Sequence, residues 1–130
     1  MKVKCGIIYN AFQTVMEFSE KTMPVKLTGK FLRLSNDLSK ELEFIDKQRQ
    51  MIIEKYGKKD ENGQLVVEND MVSFEDNEIA QKAQEELNEL SNMEVEITDR
   101  HITEEELEAA GIELNMNQFA ALENFLEHND

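Results

Sequence analysis

Three sets of residues in this sequence are of types that could do chemistry. The first is the stretch KKDENGQLVVENDMVSF at residues 58–74, where Asp60, Glu61, Asn62, Glu68, Asn69 and Asp70 surround a glycine. The second is a single cysteine, Cys5, and the third is a pair of histidines, His101 and His128. An EF-hand calcium loop takes oxygen ligands at positions 1, 3 and 5, glycine at 6 and glutamate at 12. With Asp60 placed first, Asn62 fits the third position, but Gly63 falls at the fourth and Met71 at the twelfth. The register fails, and the acidic residues read as solvating a turn. A nucleophilic cysteine needs a neighbouring histidine or an electropositive helix end. Cys5, within the alternating MKVKC, reads instead as a small buried apolar residue. His101 follows Asp99 and Arg100 as a surface turn residue, and His128 falls in the tail. No glycine-rich phosphate loop, paired-cysteine motif or His/carboxylate spacing for a metal is present in the sequence. No catalytic residue, cofactor or metal ligand is therefore assigned. Carboxylates are plentiful, but no surrounding apolar pattern suggests a pocket that would raise one for acid catalysis. The expectation is a protein that is not an enzyme.

The elements around these residues follow from apolar periodicity. MKVKC alternates and predicts a short strand. Ile8, Phe12, Val15 and Phe18 or Ser19 share one face of a helix over about 7–21, which Met23-Pro24 closes. Leu27, Phe31, Leu34, Leu38, Leu42 and Ile45 then recur at steps of three and four, Gln48 or Arg49 interrupts the seam, and Ile52 and Tyr56 resume it. They predict a helix over about 27–56, roughly 45 Å long at 1.5 Å per residue, with Gly57 as its stop. The seam reads as intramolecular, covered by the first helix and the C-terminal helices; a homo-oligomeric coiled coil is the alternative. Next, QLVV and MVSF are β-prone around a tight END reversal, predicting a hairpin with strands at about 64–67 and 71–74. Asp76 or Asn77 can cap a third helix with Ile79, Ala83, Leu87 and Leu90 on its apolar face. MEVEI alternates again and could pair with MKVKC, setting Lys2 and Lys4 against Glu94 and Glu96. Thr103 and Glu106 form a capping box, Gly111 closes that short helix, and Asn115 or Asn117 caps a last one bearing Phe119, Leu122, Phe125 and Leu126. The fold class is α+β, mostly helical: a long central helix packed with shorter helices, plus a β-hairpin and a short terminal strand pair.

With 130 residues, 40% of them hydrophobic, the expectation is one domain over 1–130. No run is long enough for a membrane span, and the N-terminus lacks the apolar core and cleavage site of a signal peptide. One cysteine excludes an intrachain disulfide and suits a reducing cytoplasm. The formal charge of −14 is unevenly spread. Residues 1–60 hold twelve Lys/Arg against eight Asp/Glu, a net of +4, and residues 61–130 hold two against twenty, a net of −18. Direct binding of nucleic acid is not expected from such a chain. An acidic interaction surface is, with Glu85, Glu86, Glu89, Glu104, Glu105 and Glu108 as its candidate residues.

The succession of a long helix ending in EKYGKKDENGQ, the hairpin VVENDMVSF, a helix and the strand MEVEI resembles a family of small proteins of tailed phages infecting Gram-positive bacteria. The resemblance covers most of residues 1–98. That family carries no assigned activity, so no functional residue is transferred from it. What it implies is a phage or prophage origin and action in the bacterial host cytoplasm or in virion assembly. The leading expectation is thus a non-enzymatic protein–protein interaction protein, an assembly or structural accessory, whose partner is a phage or host protein or a second copy of itself. The alternative is an acidic nucleic-acid-mimicking inhibitor of a host nuclease or defence effector.

Overall fold

The computed structural model describes residues 1–127; His128 lies outside the described residues. The architecture is α+β and mostly helical. In chain order it runs β1 (Lys2–Lys4), α1 (Cys5–Glu17), α2 (Val25–Tyr56), β2 (Val67–Glu68), β3 (Met71–Val72), α3 (Asn77–Asn92) and β4 (Glu94–Glu96). It ends with β5 (Ile102–Thr103), α4 (Glu104–Ala109), α5 (Met116–Leu122), a 3-10 turn (Glu123–Phe125) and β6 (Leu126–Glu127).

The 32-residue α2 is the backbone of the molecule, about 48 Å long at 1.5 Å per residue. Leu27, Phe31, Leu34, Leu38 and Ile45 on its seam are buried, and α1 and α3 pack along it. Ile8, Ala11 and Val15 of α1 complete this core, and Phe18 meets Phe31 edge-on at 5.7 Å between ring centres. The intramolecular reading of the seam therefore holds for its first two thirds. Ile52 and Tyr56 are half-buried rather than buried, because the main core ends at Ile45; Leu42, within the core's span, is also half-buried and packs against it. Beyond that residue α2 runs on for three further turns with α3 and the hairpin as an arm.

Strand β1 pairs antiparallel with β4 in the register the charges favour: Lys2 opposite Glu96, Val3 opposite Val95, Lys4 opposite Glu94. Val3 and Ile97 turn into the core. The strand stops at Lys4, and Cys5 opens α1 instead of closing the strand, its amide donating to the Met93 carbonyl at 2.8 Å. That early start moves α1 two residues ahead of its expected position. The helix also ends at Glu17, where Phe18 and Ser19 take up turn hydrogen bonds. Met93, expected on the inner face of MEVEI, is the C-cap of α3 and largely exposed.

The hairpin forms as its turn chemistry predicts. Asn69 and Asp70 both adopt positive φ (52° and 63°), the signature of a type I′ turn, and Val67 faces Val72 across it. Its strands are shorter than expected, although Val66 and Ser73 extend the pairing by hydrogen bonds to Lys58 and to each other. One oxygen of Asp60 accepts from the amides of Asn62 and Gln64 at 2.8 and 3.0 Å, so this carboxylate is spent on shaping the turn. Gly57 ends α2 with φ −65°, not in the left-handed conformation of a helix-stop glycine. Its role is close approach: a Cβ there would lie 2.5 Å from Leu65 and 2.7 Å from the Ile53 carbonyl.

The C-terminal region departs most from expectation. The capping box at Thr103/Glu106 is formed as expected, and of the two candidate caps of the last helix it is Asn115, not Asn117, that caps it, in a second box with Gln118. The last helix, however, breaks at Leu122, and Leu126 lies on β6, which pairs parallel with β5 (Ile102 opposite Leu126). Leu122, Phe125 and Leu126 are buried as expected, but Phe119 is 37% exposed, at the edge of a depression it lines with Leu107, Ile112 and Leu126.

Candidate functional site

Three features stand out: the divided acidic surface, the arm, and the turn joining β4 to β5. The acidic residues come first because the charge pattern singled them out. Glu85 and Glu89 are exposed on α3. Glu86, expected to face water, is half-buried, with Lys55 Nζ 3.3 Å from its Oε1. Glu104, Glu105 and Glu108 sit on α4, whose Glu106 is bound by Lys30 at 2.6 Å. Lys30 and Lys55 stand 25 residues apart on α2, which separates these two anchor points by about 37 Å along the helix axis. The six candidate residues thus form two groups near opposite ends of the long helix. Each group is tethered to α2 by a lysine from the basic half of the chain.

The arm is built from the distal end of α2, the hairpin and the first turns of α3. Among the described residues of α2, none after Ile45 is buried. A small cluster at the tip, where Leu65 and Val72 close over Gly57, holds the hairpin against the helix end. Large apolar side chains are left on its surface, Met51 at 63% exposure, Val67 at 58% and Met71 at 72%, with Phe44 at 43% at its base, level with Ile45. Met51 sits in a shallow depression walled by Lys47, Gln50, Glu54 and Lys55.

The turn Asp99-Arg100-His101 is clamped onto α2. Arg100 donates twice to Asp37 Oδ2, at 2.9 and 2.6 Å, and Lys30 Nζ donates to the His101 carbonyl at 2.5 Å. His101 takes a left-handed φ of 54°, and its amide donates to Asp99 Oδ1 at 2.9 Å. On the imidazole side, Nδ1 contacts Glu127 Oε1 and lies 3.6 Å from Asp99 Oδ2. The bonded Glu127 carboxylate, with Asp99 beside it, raises the imidazole pKa above its ordinary value. His101 is exposed, as expected of a turn residue, but its carboxylate neighbours were not expected. Glu127 arrives through the parallel β5–β6 pair, a contact 26 residues away in sequence with no local signal.

Cys5 is 3% exposed, and its thiol pKa is pushed up, first by burial and then by the charge of Glu41. Those surroundings suit a buried apolar residue and oppose thiolate formation. A polar groove of about 540 Å³ separates α1 from α5, floored by Gly6, Ala120 and Ala121 and crossed by a bond from Gln118 to Glu17. No helix among the described residues is long and apolar enough to cross a membrane.

Comparison of the chain with known protein families, with curated proteins and with solved structures finds no match.

Proposed function

We propose that this is a non-enzymatic protein–protein interaction protein, an assembly or structural accessory of phage type that works through its arm. The observation that carries this reading is the set of large apolar side chains on the arm, Met51, Val67 and Met71, with Phe44 at its base. Scattered single apolar residues on a surface need no explanation, but an extended element that holds three beyond the core is suited to a partner. Methionine supports the same reading, since its unbranched, polarisable side chain adapts to surfaces of irregular shape. The partner is a phage or host protein or a second copy of the chain, and it must offer an apolar anchor to the arm. The bacterial cytoplasm, and the virion as an alternative location, follow from the sequence resemblance.

A nucleic-acid-mimicking inhibitor would present its carboxylates as a continuous ridge. Here the candidate glutamates fall into two groups with anchor points about 37 Å apart along α2, and Glu86 is already paired with Lys55. The apolar arm is therefore preferred. The test is affinity capture from the host cell and sedimentation velocity on three proteins: the natural chain, Met51→Lys/Met71→Lys, and Glu85→Lys/Glu89→Lys. Loss of the complex in the methionine variant alone supports the proposal. Loss in the glutamate variant alone, with steep salt dependence, returns the inhibitor reading.

A further inference from the structure

We propose that Asp99, His101 and Glu127 form a binding site for a first-row divalent cation, with zinc the natural probe. One ligand atom from each, His101 Nδ1 and one oxygen of each carboxylate, lies within 4.8 Å of the other two. Zinc–nitrogen and zinc–oxygen bonds of about 2.0–2.2 Å place neighbouring ligands roughly 3–4 Å apart; the 3.6 Å between His101 Nδ1 and Asp99 Oδ2 already fits, and the Glu127 oxygen, hydrogen-bonded to Nδ1, would draw back from the ring to seat the ion. A mixed nitrogen and oxygen set selects zinc and its neighbours over calcium or magnesium, which prefer oxygen alone.

Charge favours the same conclusion. Two carboxylates share one imidazole, so the cluster is negative in either protonation state of the ring. Nearby cations are already committed: Lys30 to Glu106 and the His101 carbonyl, Arg100 to Asp37. A divalent ion would supply the missing positive charge. The frame around the ligands is built as outer-shell support usually is. Lys30 fixes the His101 carbonyl, Asp99 uses Oδ1 to hold the His101 amide while Oδ2 stays on the imidazole side, and the β5–β6 pair carries Glu127 to the ring. Three ligands from the protein leave coordination positions for water. The bound ion would then tie the turn on α2 to the C-terminal strand.

The proposal is tested with zinc and cobalt on the full chain. Calorimetry is expected to show one equivalent of zinc bound, with affinity at least about tenfold weaker in His101→Asn and in Glu127→Gln, since even an outer-shell change costs about that much. Asparagine tolerates the left-handed backbone, so the first variant should fold, and circular dichroism without metal checks this. Cobalt should give visible d–d bands that zinc abolishes and that His101→Asn lacks. His128→Ala, outside the described residues, should bind as the natural chain does. Absence of saturable zinc binding overturns the proposal, as does unchanged affinity in both ligand variants, or binding lost in His128→Ala but kept in His101→Asn.

Discussion

Replacing Gly57 with alanine sets two opposing effects against each other at the arm's tip. The glycine has φ −65° and ψ 143°, a conformation alanine adopts freely. On that ground alone the substitution should stabilise by about 0.4–1 kcal/mol, because alanine narrows the unfolded ensemble. The added Cβ, however, would lie 2.5 Å from Leu65 Cδ2, 2.7 Å from the Ile53 carbonyl oxygen and 3.0 Å from Val72 Cγ1. Leu65 can turn aside, but the Ile53 carbonyl cannot, since it accepts the Gly57 amide at 2.7 Å. Overpacking of this kind costs about 1–3 kcal/mol, so the net loss should be about 1–2 kcal/mol. In a chain of this length that lowers the melting temperature by roughly 3–8 °C. The damage should be local. Hydrogen exchange should speed up at the amides of Lys58 and Val66, which join the hairpin to the segment after the helix end, and of Ser73, which bonds Val66 across the hairpin. A Gly57→Ala protein that melts at or above the natural temperature, with unchanged exchange at those amides, would refute the reasoning.

Three further outcomes are expected. Leu38, with 0% exposure at the centre of the seam, should lose about 2–5 kcal/mol on Leu38→Ala by chemical denaturation, while Met51→Ala should leave stability nearly unchanged. Cys5 should react with a thiol reagent far more slowly in the native protein than in urea, because burial and Glu41 hold the thiol protonated; equal rates would place it at the surface. The Glu106 carboxyl is held below its ordinary value, chiefly by the hydrogen bond from Lys30. Its contribution is present above the unfolded-state value near 4.5 and is lost as pH falls through the lower folded value. Glu106→Gln should therefore cost about 0.5–1 kcal/mol at neutral pH and flatten the acid limb of the stability curve; parallel curves would contradict this.

What the sequence made legible was local. Apolar residues at steps of three and four marked α2, alternation marked β1 and β4, and the opposed lysines and glutamates pointed to their pairing, which the structure makes antiparallel with Lys2 opposite Glu96 and Lys4 opposite Glu94. The capping box at Thr103 works over three residues and was readable, whereas at the last helix the sequence left the cap open between Asn115 and Asn117, and the structure uses Asn115. The β5–β6 pair was not readable. Each strand has two residues, too few for a period, and the parallel pairing depends on how α4 and α5 return the chain. With it the Asp99–His101–Glu127 cluster was hidden, as was the paired state of Glu86. The end of the core at Ile45 was only half legible: Gln48 or Arg49 interrupts the seam just beyond it, but Ile52 and Tyr56 resume the spacing whether or not anything covers them.

The most direct test of the arm as an interaction surface is photocrosslinking in the host cell from a photoreactive residue placed at Met51 or Met71. The account predicts a discrete adduct with one protein, or with a second copy of the chain, from both positions, and none from Tyr9, which is exposed on α1. Adducts from Glu85 or Glu108 positions with none from Met51 and Met71 would contradict it and move the interface to the acidic surface.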